Sequence, residues 1–223
     1  MSVRQSAKPP KPPPYLIMRI TIIILSLLLL IVVANNQSSF AVDAEIATPV
    51  SVAREAARQR EQSFDRLERQ KQLPAIISAF KKRTNNERAQ RLAYLCYETT
   101  LDTPFKPIDL AEIALAETGG HGLSGKAVSP RGALGVWQLM PTRARSHGFK
   151  AAEMKLDEKC AAAAVKELKE KLEMAEGNLN LAKRLYCGAG SQARAYETKI
   201  RKYRNEILSS MAQMEASQPQ NGA

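Results

Sequence analysis

The stretch that decides the fold is Asp109–Thr142, DLAEIALAETGGHGLSGKAVSPRGALGVWQLMPT. It opens with helical spacing. Leu110, Ile113 and Ala114 fall at i, i+3 and i+4, and the next position on that face, i+7, is Glu117. Asp109 reads as the N-cap, with Glu112 at the capping-box spacing three residues on. Gly119-Gly120 reads as the end of the helix. A glycine-rich loop follows, and order returns at a turn around Gly132 and Gly135.

A carboxyl on the inward face of a helix loses hydration, which penalises its charged form and raises its pKa. A group that keeps its proton near neutrality can serve as a general acid. Periodicity alone leaves a second reading open, in which Glu117 is a last-turn glutamate pointing outward. From Thr118 to Ala152 there is no Asp or Glu, whereas Lys126, Arg131, Arg143, Arg145 and Lys150 all fall there. A glycosidase with two carboxylates would have to find its second acid elsewhere in space. One acid suffices where the substrate brings its own nucleophile. The carbonyl oxygen of an N-acetyl group beside the anomeric carbon is such a nucleophile.

Working outward, the chain of 223 residues has room for one domain plus flanking segments. It is 44% hydrophobic but only 5% aromatic, and Ala, Leu, Glu, Lys, Arg and Gln dominate, so the body is expected to be all-α. The net charge is +11, and residues 1–41 contribute Arg4, Lys8, Lys11 and Arg19 with no acid, leaving 29 basic against 22 acidic residues, a net +7. That balance suits an anionic partner such as a membrane surface or a cell-wall polymer. It equally suits ordinary solvated helix faces, because the charges are interspersed. No zinc-finger spacing, basic zipper or aromatic RNA-binding pattern occurs, so nucleic acid is not an expected partner.

The proline-rich basic start is followed by fifteen uncharged residues, Ile20–Ala34. That is long for a signal-peptide core and short of the roughly 20 that span a bilayer. Export to the periplasm or cell envelope is expected. The segment is either cleaved near Ser39-Phe40-Ala41 or kept as an inner-membrane anchor, and its positive flank places residues 42–223 outside the cytoplasm in both cases. Cys96, Cys160 and Cys187 allow one disulfide with one thiol left over, or three unpaired thiols behaving as small hydrophobes. No cysteine or histidine spacing points to a metal, and no cofactor is expected.

The organisation expected is residues 1–41 as signal peptide or anchor, 42–85 as linker and charged helical segment, 86–208 as the catalytic domain and 209–223 as a helix end and disordered tail. Within it, Ser51–Lys71 reads as a charged helix with a thin apolar stripe through Val52, Ala53, Ala56, Phe64 and Leu67, closed by Pro74. Ala75–Lys82 reads as a short helix, Thr84-Asn85-Asn86 as a cap, and Glu87–Thr100 as the next helix. Pro104 and Pro107 keep residues 102–107 out of a helix. After the loop, Asp157 reads as the cap of a helix over Glu158–Glu176, broken at Gly177-Asn178. A short helix Leu181–Tyr186 follows, then one capped by Ser191 with Tyr196, Ile200, Tyr203 and Ile207 on one face.

The run ALAETGG, then AVSPRGALGVWQLMPT, resembles the lytic transglycosylases with the goose-lysozyme-like catalytic fold. Their pattern is a helix ending in Glu-Ser, then A-x-S-x-x-G-A-x-G-L-M-Q-x-x-P, and this chain matches it at Glu117, Ala127, Ser129, Gly132, Ala133, Gly135, Gln138 and Pro141. Leu185–Gly190 resembles the family's A-Y-N-A-G element, and Tyr196 resembles the tyrosine that follows it. The resemblance covers roughly residues 86–206. It implies a compact lysozyme-like helical domain acting on peptidoglycan strands. Glu117 would be acid and then base, and Ser129 would hold the acetamido group of the reacting sugar. Gln138 would line the saccharide groove, Tyr186 would hydrogen-bond near Glu117, and Tyr196 would stand with them. Gly132 and Gly135 would let the backbone turn below the groove.

The chain departs from the pattern in four places. Thr118 replaces the serine, the loop from Glu117 to Ser129 is longer and glycine-rich with His121 inside it, Val136-Trp137 replace Leu-Met, and Cys187 stands where the asparagine is expected. The expected reaction is cleavage of the β-1,4 bond between N-acetylmuramic acid and N-acetylglucosamine, with a 1,6-anhydro product. The alternatives are a hydrolytic lysozyme using the same acid and a non-catalytic wall-binding scaffold. Expected partners are peptidoglycan, the inner membrane if the N-terminal segment is retained, and an envelope-spanning secretion or conjugation complex.

Overall fold

The structure is a computed structural model, and it describes residues 49–188 and 192–217. The segment expected to direct export, most of the expected linker, the expected Ser191 cap and the tail from residue 218 lie outside the described residues. The chain divides into two compact units between Arg58 and Gln59.

The described residues form helices α1 (Pro49–Gln70), α2 (Leu73–Lys81), α3 (Asn86–Thr100), α4 (Pro107–Thr118), α5 (Pro141–Ser146), α6 (Asp157–Met174), α7 (Leu179–Cys187) and α8 (Gln192–Ala216). Single 3₁₀ turns lie at Gly119–His121 and Ala151–Lys155. Among these residues the only β-type pairing is two isolated bridges inside one loop, so the all-α expectation holds. None of the described helices is long and apolar enough to cross a membrane.

α4 is the axis. Every residue from Pro107 to Ala116 is buried, including Asp109 and Glu112, and α2, α3, α6 and α8 all pack against it. The amphipathic reading of this helix is therefore corrected: it is enclosed on every side. Its start is corrected too. Pro107 occupies the first turn and Lys106 is the N-cap, while the Asp109 carboxylate accepts the Lys106 backbone N–H at 2.7 Å. Proline at this position comes pre-set for the helix, and its missing N–H is one the first turn cannot use.

The flanking helices follow local signals. Pro74 opens α2 rather than merely closing α1. Asn85 caps α3 by accepting the Arg88 N–H at 2.9 Å. Asn178 caps α7 through Leu181 N–H at 3.1 Å. Asp157 does not cap α6. It is the first helical residue, paired with Arg88 at 2.9 Å, and Leu156 holds the cap position. The apolar stripe of α1 stays open, with Val52, Phe64 and Leu67 all exposed. Its C-terminal end is fixed by Arg69, which is buried and donates to the carbonyls of Thr100, Thr103 and Phe105 while pairing with Asp65. All three cysteines are free thiols, Cys96 and Cys160 buried and Cys187 exposed.

Candidate active site

Glu117 sits in the last turn of α4 and is the first residue of that helix that is not fully buried. The residue after it explains the local geometry. The Thr118 hydroxyl, wholly buried, donates to Val136 O at 2.8 Å and to Ala114 O at 3.3 Å, tying the helix end to the loop beyond Gly135. Gly119-Gly120 ends the α-helix as expected, with Gly119 at its C-cap position. The chain continues as a 3₁₀ turn to His121, which is exposed, and the left-handed residues are Gly122 and Leu123. Leu123 N–H then closes onto Thr118 O at 3.0 Å, and Arg88 holds the Leu123 carbonyl.

The second half of the loop is built around Trp137. Its indole is fully buried against α4 and donates to Leu110 O at 3.0 Å, so this ring is packing under the loop and does not face a ligand. Leu134 and Leu139 exchange both backbone bonds at 2.9 Å around a tight turn, in which Gln138 has φ 51°. The Gln138 amide nitrogen donates to Gly135 O at 2.7 Å and Ala127 O at 3.3 Å. Ser129 begins the preceding turn, and its hydroxyl oxygen accepts Ala133 N–H at 2.9 Å. Both residues thus brace the loop. Ser129 keeps its hydroxyl proton, and Gln138 its carbonyl oxygen, free of partners among the described residues.

Four groups from α7 and α8 converge on the Glu117 carboxyl: Tyr186 and Cys187 from α7, and Tyr196 and Lys199 from α8. Tyr186 lies close to Glu117 but donates its hydroxyl to Trp137 O at 2.9 Å. Tyr196 is 7% exposed, and its hydroxyl has no hydrogen-bond partner of ordinary geometry among the described residues. It is nonetheless near enough to Glu117 for each group to alter the other's proton affinity. Lys199 donates to Ala116 O. Burial pushes the Glu117 pKa up, while the Tyr196 hydroxyl and the Lys199 charge pull against it without cancelling it. Burial and the Glu117 charge together keep Tyr186 and Tyr196 well above the usual phenol range. Burial and the same charge raise Cys187, opposed by Lys199 and Arg131.

α7 and α8 are held in place by a buried ionic quartet. Lys183 reaches Asp109 at 2.6 Å and Glu112 at 2.5 Å, and Arg204 reaches Glu112 at 2.7 Å and also contacts Asp109. Glu112 is therefore not a capping-box residue. It is a core anion 0% exposed, raised by burial and partly restored by its two cations. His147, Glu167 and Glu170 also gather within ligand distance of one another. Arg143 and Lys171 already neutralise that group, which makes it an ion-pair network.

Residues 105–208 match the family described as Transglycosylase SLT domain. Over these residues the chain is similar to a transglycosylase SLT domain. The match begins two residues before α4, ends in α8, and contains Glu117, Ser129, Gln138, Tyr186 and Tyr196. No curated protein matches the chain. The SLT domain carries the lysozyme-like helical fold and, at the level of the family, glycan-cleaving lytic transglycosylase activity on peptidoglycan. Lys199 was not legible in the sequence, because its contact with Ala116 spans 83 residues. The quartet was equally hidden. Two acids three apart on an apolar helix were visible, but nothing local named Lys183 or Arg204 as their partners.

Proposed function

We propose that the chain is an exported lytic transglycosylase that cleaves the β-1,4 bond between N-acetylmuramic acid and N-acetylglucosamine in peptidoglycan. Glu117 gives its proton to the leaving O4 while the acetamido oxygen of the muramyl sugar attacks C1, forming a cyclic oxazolinium. The Glu117 carboxylate then takes the proton of the C6 hydroxyl. O6 attacks C1, the oxazolinium opens and a 1,6-anhydro ring closes. No water is consumed.

One observation carries this reading. Glu117 is half-buried at the end of α4, its proton affinity is raised by burial, and no second carboxylate contributes to that shift. A lone acid of this kind suits a reaction in which the substrate supplies both nucleophiles. The buried Tyr196 hydroxyl and the Lys199 charge are placed to stabilise the carboxylate once its proton has left. Ser129 and Gln138 present their remaining hydrogen-bond capacity from a rigid loop, and we assign them to the sugar. The uncharged run Ile20–Ala34 with its basic flank supports action on the outer side of the inner membrane.

The test is Glu117→Gln assayed on purified sacculi, with products read by mass spectrometry. The parent chain should release anhydro fragments, and the variant should lose about 10²–10⁴-fold in rate. Undiminished release by the variant would remove Glu117 from the chemistry. Products heavier by one water would make the enzyme a hydrolase, and sacculus binding without turnover would make it a scaffold.

A further inference from the structure

α1 carries an apolar face that nothing among the described residues covers. Ala53, Ala57, Arg60, Phe64 and Leu67 follow one another at steps of four, three, four and three, the spacing of a coiled-coil seam. All five are exposed, Phe64 at 64% and Leu67 at 53%. The helix is fixed by its other side. Asp65 pairs with Lys106 at 2.5 Å, and Arg69 holds the carbonyls of Thr100 and Phe105. At about 3.6 residues per turn, Asp65 and Arg69 fall opposite Arg60, so the seam faces away from these contacts.

The face is complementary to its own reverse. In an antiparallel pair whose register sets Phe64 over the partner's Ala53, Arg60 lays its aliphatic stem over the partner's Ala57. Two-fold symmetry repeats both contacts, so every layer of the seam meets a long side chain with a short one. The same register brings Arg54 to the partner's Glu61 along one flank, twice over, and Ala56 to the partner's Ser63 along the other. Arg54 and Glu61 are both exposed and have no ion-pair partner among the described residues. They lie about two turns apart on one edge of the helix, beyond the three- or four-residue spacing at which side chains of one helix meet.

We propose that α1 pairs antiparallel with α1 of a second copy of this chain, along Ala53–Leu67. The placing of charge selects this occupant. A lipid surface would take Arg60 in at the middle of the apolar face and Glu61 at its border, which an interfacial helix avoids. A parallel pair would set Arg60 against the partner's Arg60 and leave Arg54 without an acid. The antiparallel pair alone matches each exposed charge on the flank with its opposite and lets the Arg60 head reach water past a small residue.

The test is cross-linking of the full chain in detergent micelles, with Cys187→Ser in every variant to remove the exposed thiol. One preparation carries Ala56→Cys and another Ser63→Cys. A short bismaleimide should join the two when they are mixed and give little dimer from either alone. Arg54→Glu in both preparations should cut the mixed yield about tenfold, the scale of two exposed ion pairs turned repulsive. Adding Glu61→Arg to both should restore it, a rescue that a merely unfolded helix could not give. No link in the mixture, equal linking within one preparation, or a yield indifferent to charge reversal would overturn the pairing. So would ready linking of Phe64→Cys to itself, which marks a parallel pair. Loss of the link when vesicles of anionic phospholipid are added would give the face to lipid instead.

Discussion

Lys199, on α8, donates from its ammonium group to the backbone carbonyl of Ala116, the residue immediately before Glu117. The contact sets a positive charge at the negative end of the α4 dipole and beside the carboxyl. Replacing Lys199 by Met removes that charge, so the already raised proton affinity of Glu117 rises further. A general acid works while protonated, and its activity falls as pH climbs through its pKa. The descending limb of the kcat/KM profile should therefore move to higher pH in Lys199→Met and stay in place in Lys199→Arg. Tyr186, Tyr196 and Cys187 also face the carboxyl, but burial raises all three and keeps them neutral through that range. An unmoved limb in the Met variant would detach Lys199 from the acid.

Lys183 stands between two carboxylates that are almost wholly buried, at 2.6 Å from Asp109 and 2.5 Å from Glu112. Lys183→Met leaves two buried acids to share Arg204 alone. Removing one partner from a buried ionic group costs about 3–5 kcal/mol, because the remaining charge has lost its water without compensation. Urea denaturation should show that loss. Adding Glu112→Leu to Lys183→Met should restore part of it, since the apolar replacement carries no stranded charge.

Gly135 and Gly132 both have positive φ, at 77° and 84°. Their surroundings differ. A Cβ at Gly135 would clash with Met154 O and lie 2.7 Å from Cys160 Sγ, whereas one at Gly132 meets nothing within 4 Å. Gly132→Ala should cost about 1–2 kcal/mol, the penalty of a left-handed residue. Gly135→Ala should cost about 3 kcal/mol or more, because backbone must move as well. Thermal melts of the two variants check the order, and equal losses would mean that the contact with Met154 is not rigid.

Glu206 is held down to about 2, first by its hydrogen bonds from Arg83 at 2.6 and 2.7 Å and then by Lys82, against an opposing push from burial. A carboxyl whose folded pKa is depressed contributes stability above its unfolded pKa, near 4.5, and that contribution drains away as pH falls toward 2. Glu206→Gln should therefore lose about 2 kcal/mol at pH 7, allowing for screening at a partly exposed pair. It should lose almost nothing at pH 2. Denaturant midpoints across that window test the claim, and a difference independent of pH would reassign the loss to packing.

Helix existence was legible wherever the signal was local. Asn85 and Asn178 cap where their short polar side chains can reach a backbone N–H two or three residues on. The buried faces of α2, α6 and α8 follow the 3.6-residue period. Local signals misled at α4. Asp109 looks like a cap in sequence but serves at the third helical position, where its carboxylate reaches back to Lys106 and also meets Lys183. The short α5 and the turn at Ala151–Lys155 had no period long enough to read.

By itself the sequence determined the helical class, the placing of Glu117 at the end of one helix and the acid-free, glycine-hinged loop after it. Each of those is a property of neighbours along the chain, set by backbone torsions and by the order of apolar side chains. Only the tertiary structure decided that α4 is enclosed on all sides, that Glu117 is half-dried, and that Lys199 joins the two tyrosines beside it. Dehydration and Coulomb interaction act through space. The groups that tune this carboxyl come from segments about 70 to 80 residues away, and only folding brings them together.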